Sequence, residues 1–96
     1  LAGATVVGEM MLEALRGLDS PLIREVRGRG MMIGLDLRIR VTKLLKVLQD
    51  RGVLALPAGP TVMRLLPPLV LREREAQRVI EAVKEVLDEA EGEENA

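Results

Sequence analysis

The sequence predicts an α+β fold, a two-layer sandwich in which a small, mainly antiparallel sheet carries helices on one face. Three segments show apolar residues at helical spacing, four short apolar runs have the length of strands, and clusters of glycine and proline separate them. The predicted order is helix, strand, strand, helix, strand, strand, helix. Pairs of short strands between helices are typical of an antiparallel sheet, and helices gathered on one side complete the sandwich.

A helix and two strands are predicted in the first part of the chain. Apolar residues recur every three or four positions from about residue 4 to residue 18, and an Asp-Ser-Pro triplet ends the pattern. A strand follows over residues 22–26, with Ile23 and Glu25 expected on the same face because side chains alternate along a strand. A second strand is predicted over residues 30–37.

A short, well-delimited helix comes next, followed by a third strand. One apolar stripe predicts a helix over residues 41–51, and Gly52 fits a left-handed cap at its C-terminus. The continuous apolar run 53–56 has the length of a strand. The Pro-Ala-Gly-Pro sequence at residues 57–60 is then expected to form a loop, because proline and glycine interrupt regular structure.

The last part of the chain predicts a strand and the longest helix. The strand covers residues 61–66 and ends at Pro67 and Pro68, which cannot donate hydrogen bonds within a central ladder. A regular apolar face then predicts a helix over residues 73–91. We expect residues 1–91 to form one domain and residues 92–96 a disordered acidic tail.

Several residue types are missing from the sequence, and their absence narrows the possible chemistry. The chain has no cysteine and no histidine, which excludes disulfides, thiol nucleophiles, imidazole catalysis and zinc sites built from these residues. It also has no aromatic residue, although 48% of it is hydrophobic. The core must therefore consist of aliphatic side chains and methionine, which suggests strong sequence drift or an engineered, restricted composition.

Length and charge favour a soluble single domain. The 96 residues suit one compact domain, and 14 basic residues nearly balance 15 acidic ones. Residues 16–51 hold nine basic and four acidic residues, whereas residues 73–96 hold nine acidic and three basic ones. Neither a signal peptide nor an apolar run long enough to cross a bilayer is visible, so we expect a cytoplasmic protein. A first residue other than methionine suggests a fragment.

The Arg-Gly-Arg-Gly stretch after the first strand admits three interpretations. Gly28, Gly30 and Gly34 resemble a dinucleotide fingerprint, but the spacing differs by one residue and a strand follows instead of a helix. Arginine-glycine tracts that bind RNA are repeated and carry aromatic residues, unlike this single copy. A structural turn formed by the three glycines, with Gly28 or Gly30 at positive φ, is the favoured interpretation.

Arg64 lies within an apolar strand, where its charge calls for an explanation. It either meets an anionic partner such as a carboxylate or phosphate, or points outward from an edge strand with its charged end in water. Asp36 and Glu25 are expected to pair with neighbouring arginines across the hairpin. Carboxylate pairs on the last helix, Glu81 with Glu85 and Glu85 with Glu89, are expected to lie on a solvated face and not in a metal site.

Three segments stand in a diagnostic order and spacing. They are IREVRGRGMMIGLDL at residues 23–37, RGVL at residues 51–54 and GPTVMRLLPPL at residues 59–69. Together they resemble the C-terminal small domain of class III pyridoxal-phosphate aminotransferases, and in particular the acetylornithine and LysW-lysine aminotransferase branch. The resemblance extends from about residue 6 to residue 90, which is nearly the whole chain.

This resemblance implies a role for Arg64. It matches the arginine of the family's R-x-x-PPL motif, which binds a carboxylate of the amino donor or acceptor. The Schiff-base lysine and the other residues that hold pyridoxal phosphate belong to the family's large domain. Lys43, Lys46 and Lys84 fall on predicted helices of the small domain. We therefore expect no catalytic, cofactor-binding or metal-binding residue in this chain.

Two functions remain open at this point. The first is an isolated or engineered small domain without catalytic activity of its own, which serves as a folding or assembly module. The alternative is the carboxylate-binding portion of an acetylornithine-type aminotransferase that needs the missing large domain. The predicted strands carry too many apolar residues for one face to be left in water: Met31, Met32, Ile33, Leu35, Val53, Leu54, Leu65 and Leu66. Expected partners are a second copy or the large domain, not nucleic acid or membrane.

Overall fold

The computed structural model describes residues 2–29, 32–66 and 73–94. Its elements follow the predicted order. In chain order they are α1 (Ala2–Arg16), β1 (Ile23–Arg29), β2 (Met32–Leu37), α2 (Thr42–Asp50), β3 (Ala55–Pro57), β4 (Val62–Leu65) and α3 (Glu73–Glu94). The structure is thus an α+β sandwich, as the sequence predicts. None of the helices in the described part of the chain has the length and apolarity needed to cross a membrane.

The four strands form one antiparallel sheet in the order β1-β2-β4-β3. β2 and β4 are therefore central, and β3 is an edge strand. The third strand ends at Pro57, which the sequence assigns to a loop. An edge strand accommodates this proline because it can leave its outer side without a hydrogen-bonding partner.

One face of the sheet packs under the three helices and forms the core. Ile33 and Leu35 of β2 pair with Leu65 and Met63 of β4, and all four are at most 1% exposed. The helices, the other strands and the connecting segments contribute the remaining core side chains, which are aliphatic or methionine, as the composition requires. The largest fully buried ones besides these four are Met11, Leu15, Leu37, Val41, Leu48, Val83 and Leu87.

β1 contains a register shift that the sequence does not reveal. Ile23 pairs with Leu37, whereas Glu25 pairs with Asp36, so Arg24 is an extra residue in the strand. Such a bulge reverses the alternation of side chains between two faces. Ile23 consequently packs against the core while Glu25 does not, and the prediction that they share a face is wrong.

α2 ends in the predicted glycine cap. Gly52 has φ +81°, in the left-handed region that favours glycine. Its N–H donates to the carbonyl of Gln49, and the N–H of Val53 donates to that of Leu48. These two bonds define a Schellman motif, which satisfies carbonyls that the helix itself leaves free. Val53 is buried, so the cap also returns the chain to the core.

α3 extends further than its apolar pattern predicts. It ends at Glu94, so residues 92–94 of the expected disordered tail are helical. Gly92 does not adopt a left-handed conformation here, and the surrounding glutamates favour helix. Residues 95 and 96 lie outside the described part, as do Pro67 and Pro68, where the fourth strand was expected to end.

Gly28 lies in β1, with its α-carbon directed toward α1. A Cβ placed on it would lie 2.4 Å from Cδ2 and 3.0 Å from Cγ of Leu12, which is 7% exposed. Gly28 has no positive φ, so the expectation that it forms the turn is wrong. It is glycine because helix and strand approach each other closely at this point.

We expect the Gly28→Ala variant to lower the free energy of unfolding by about 1–3 kcal/mol, because its methyl group would overpack against Leu12. Urea unfolding followed by circular dichroism measures this change. Shortening Leu12 to alanine removes the obstacle but leaves a cavity. The two substitutions together should therefore cost less than the sum of their separate effects, by more than about 0.5 kcal/mol.

Gly34→Ala is the matched control for this experiment. Gly34 lies in the neighbouring strand, but an added Cβ would meet only the carbonyl oxygen of Arg27, at 4.0 Å. Its unfolding free energy should not fall. Strictly additive effects of the Gly28 and Leu12 substitutions would contradict the proposed contact.

Candidate functional site

The helices leave one face of the sheet uncovered, and we call it the open face. Residues of all four strands form it: Glu25, Arg27, Met32, Gly34, Asp36, Leu56, Val62 and Arg64. The apolar strand residues that the sequence singles out are divided between the two faces. Ile33, Leu35 and Leu65 are buried under the helices, whereas Met32 on the open face is 59% exposed.

Arg64 lies at the centre of the open face. It is an exposed residue of β4, and the register places it directly opposite Gly34 of β2 and Leu56 of β3. Gly34 is in turn opposite Arg27 of β1. Arg64 therefore points outward, as one interpretation of the sequence predicts, but from a central strand and not from an edge strand.

A shallow groove of about 410 Å³ surrounds this row of residues. The side chains of Arg27 and Arg64 border it, and Met32 and Val62 contribute apolar surface. Within the described ranges, no carboxylate lies within 4.0 Å of the Arg64 guanidinium. A guanidinium offers a planar fork of donors that matches a carboxylate or phosphate, so Arg64 has the chemistry to bind an anion in this groove.

Arg27, by contrast, already has acidic neighbours. Its Nη2 lies 2.9 Å from Glu25 and 3.8 Å from Asp36. The hydrogen bond with Glu25, followed by that carboxylate's charge, raises the pKa of Arg27 above its usual value. The expectation of pairing across the hairpin is confirmed for Asp36, whereas it is wrong for Glu25, which pairs with Arg27 of its own strand.

Asp36 connects the polar residues beside the groove. Its Oδ1 accepts a hydrogen bond from the Thr61 hydroxyl at 3.3 Å and lies 3.9 Å from the Arg24 guanidinium. The Asp36 side chain is 14% exposed, so much of its surface is already surrounded by these neighbours. The two carboxylates of the open face are thus engaged with Arg24, Arg27 and Thr61, which leaves Arg64 available to an external anion.

The three glycines of the predicted turn have different positions. Gly28 and Gly34 are strand residues, in β1 and β2, and neither has a positive φ. Strand pairing continues as far as Arg29 opposite Met32. Gly30 lies outside the described residues. The segment after the glycines is a strand, which agrees with rejecting a dinucleotide site at a helix N-terminus.

The basic residues of the middle segment do not form one continuous surface. Arg24 and Arg27 are on the open face, beside Asp36. Arg38, Arg40 and Lys43 instead line a groove of about 630 Å³ near the start of α2, which Glu93 also lines. The segregation of charge along the sequence is therefore not reproduced as a single basic face among the described residues.

The carboxylates of α3 have a structural partner that the sequence does not indicate. Arg51 donates to Glu85 at 2.8 Å and to Glu89 at 2.6 Å, across 34 and 38 residues. The hydrogen bond with Glu89 is the main cause of a raised pKa of Arg51. Glu81 is exposed on the same helix. No group of three or more metal-ligating side chains occurs in the searched, described part of the molecule.

Comparison with known proteins places this fold and sequence in a family. The family model for class III aminotransferases matches residues 1–87. The chain belongs to the class III aminotransferase family. The sequence is 42% identical over 82 residues to the [LysW]-aminoadipate semialdehyde transaminase of Deinococcus radiodurans, and 37% identical over 81 residues to the acetylornithine aminotransferase of Bacillus subtilis. These matches confirm the resemblance to that branch of the class III aminotransferases.

The chain corresponds to a small part of these aminotransferases. The two matches cover 84% and 83% of the chain but only 19% and 21% of the respective relatives. Solved structures show the same relation. The ornithine aminotransferase of Toxoplasma gondii superposes with a TM-score of 0.79 at 28% identity, over 94% of this chain and 23% of its own. The acetylornithine aminotransferase of Elizabethkingia anophelis gives 0.80 at 26% identity, over 90% and 24%.

Class III aminotransferases use pyridoxal phosphate, and the three lysines of this chain lie away from the candidate site. Lys43, Lys46 and Lys84 are exposed residues of α2 and α3, and none lines the groove at Arg64. A hydrogen bond with Asp88 at 2.7 Å raises the pKa of Lys84, whereas a reactive amine needs a lowered one.

Proposed function

We propose that this chain is the substrate-carboxylate-binding portion of a pyridoxal-phosphate-dependent aminotransferase of the acetylornithine type, with Arg64 as the binding residue. The observation that carries the proposal is the exposed Arg64 in a groove at the centre of the open face, with no carboxylate of the described chain within 4.0 Å. Family membership supports it, since the matched region includes the whole of β4.

Arg64 would act by positioning. Two parallel hydrogen bonds from its guanidinium to a substrate carboxylate fix both the location and the plane of that group. A substrate held in this way presents its amino or carbonyl carbon to the reaction centre in a restricted set of orientations, which lowers the entropic part of the barrier. Pyridoxal phosphate, when bound elsewhere in the enzyme, supplies the electron sink for the chemistry.

The chain by itself would not catalyse amino transfer. Its three lysines are on the helices, and Arg64 lies on the opposite face of the sheet. The chain spans about a fifth of the curated relatives that it matches, so the remaining part of such a protein would supply the cofactor site. In this view the small domain contributes binding and orientation, and the bond-making groups come from the rest of the enzyme.

Titration with pyridoxal phosphate tests the first part of this proposal. We expect no stoichiometric, lysine-dependent change in the absorption spectrum, because each lysine is exposed on a helix and Lys84 is already engaged by Asp88. Replacing Lys84, Lys43 and Lys46 one at a time by arginine should leave any residual signal unchanged. A one-to-one spectral change that a single lysine substitution abolishes would contradict the proposal.

Substitution of Arg64 tests the second part. We expect Arg64→Gln to weaken binding of glutarate by about tenfold, because the loss of a charge-assisted hydrogen-bonding pair is worth on the order of 1.5–3 kcal/mol. Chemical-shift changes in β2 and β4 during an NMR titration of the 96-residue chain at low salt report the affinity.

Arg78→Gln is the matched control, since it removes the same charge from an exposed site on α3. Its affinity for glutarate should equal that of the unmodified chain. If Arg78→Gln and Arg64→Gln weaken binding equally, the effect is one of net charge and Arg64 has no specific role.

A second proposed function is assembly through the open face. Met32 and Leu56 on this face, together with Leu54 just before β3, are 59%, 49% and 54% exposed. An exposed apolar surface of this kind beside an edge strand favours contact with another protein. In the complete enzyme we propose that the large domain covers it, and in the isolated chain a second copy would do so.

Sedimentation across a wide concentration range measures this association. We expect the average mass to rise with concentration, and Leu56→Lys to oppose the rise because it places a charge in the contact surface. Lys46→Glu, on the outside of α2, is a control for altered charge. A strictly monomeric chain at all concentrations would contradict self-association.

A further inference from the structure

Gly34 occupies the position between the two arginines of the open face. We propose that Gly34 is a specificity-determining residue, whose missing side chain keeps the floor of the groove open so that an aliphatic carboxylate can reach Arg64. This inference rests on the proposed role of Arg64 and adds a residue to the same site. Gly34 would determine which ligand shapes fit the groove, whereas Arg64 would select ligands that carry a negative charge.

The register of the sheet fixes this arrangement. Gly34 is directly opposite Arg64 on one side and Arg27 on the other. Neighbouring strands lie about 4.8 Å apart, so the α-carbons of the two arginines are separated by about 10 Å. That interval accommodates a carboxylate between the side chains only if the residue in the middle contributes no atoms above the sheet.

Nothing in the fold itself requires glycine at position 34. Its φ is not positive, and an added Cβ would meet only the carbonyl oxygen of Arg27, at 4.0 Å. Gly28 differs, since its Cβ would lie 2.4 Å from Leu12. Glycine within a strand also reduces stability, because it has no side chain to pack and greater freedom when unfolded. We therefore attribute the glycine at position 34 to ligand access to the groove and not to a requirement of the fold.

The surroundings of the groove indicate the chemical class of its ligand. Met32 and Val62 provide apolar contacts, and Ala58 lies beside them. Arg64 provides the charge, while Arg27 is held by Glu25 and Asp36. The matching ligand is a carboxylate with an aliphatic chain, in which the carboxylate meets Arg64 and the chain rests over Gly34 against the two apolar side chains.

A Cβ and any further atoms at position 34 would occupy the space above the floor. Residues directly opposite each other in a sheet have Cβ atoms about 4.5–5.5 Å apart, so a valine at this position would stand beside the Arg64 side chain. A ligand with an extended chain would lose more contact than one with a single methyl group. The substitution should therefore change selectivity as well as affinity.

Titrations of the 96-residue chain with glutarate and with acetate test this proposal, at a protein concentration where sedimentation shows a single species. We expect Gly34→Val to weaken glutarate binding by about tenfold, because its aliphatic chain loses apolar contact over position 34, and to weaken acetate binding less. Gly34→Ala should weaken binding less than Gly34→Val does, and it should again weaken the binding of glutarate more than that of acetate. Urea unfolding should show that neither variant is less stable than the original chain.

Gly92→Ala is the matched control, because an added Cβ there meets nothing within 4 Å. This variant should bind both ligands as tightly as the original chain.

If the original chain fails to bind glutarate, or if Arg64→Gln binds it equally well, the proposed function fails. If binding depends on Arg64 but Gly34→Val binds glutarate as tightly as before, or loses both ligands equally, the role of Gly34 is refuted. If Gly34→Val does not fold, Gly34→Ala decides by the same two criteria.

Discussion

The register between β2 and β4 is the constraint on which the rest of the structure depends. Ile33 opposite Leu65 and Leu35 opposite Met63 place four large side chains in the core. Because side chains alternate along a strand, the same register places Gly34 opposite Arg64 on the other face. A slip of one residue would move the Arg64 guanidinium beneath the helices, among the aliphatic side chains of the core, where burying its charge would be costly. Burial of the apolar face thus holds the candidate site in place.

The core contains no aromatic side chain. Close approach between helix and strand backbones brings its smaller side chains into contact. Gly28 lets Leu12 of α1 lie against β1, and the Gly52 cap sends the chain from α2 directly to the buried Val53. Arg16, at the end of α1, donates to the carbonyl of Val26 at 3.3 Å. The contacts of Leu12 and Arg16 join α1 to β1, so this helix has few ways to shift relative to the strand.

Some charged side chains of the described residues pair with one another, whereas Arg64 has no carboxylate of these residues within 4.0 Å. Arg51 joins α2 to α3 through Glu85 and Glu89, and Arg27 is held beside Glu25 and Asp36. These exposed ion pairs contribute little to the free energy of folding, since water and salt screen them. Arg64 differs from these arginines because its position in the groove suits an external anion, which agrees with a role in binding and not in folding.

The sequence by itself determined the fold class, the order of elements and the cap at Gly52, because these follow from local periodicity and chain-breaking residues. It did not determine the bulge at Arg24, the close contact of Gly28 with Leu12 or the ion pairs of Arg51. Only the tertiary structure decided that β4 lies between β2 and β3, and thus that Gly34 faces Arg64. Pairing between strands distant in sequence is set by which apolar faces can be buried together, and no local pattern records that choice.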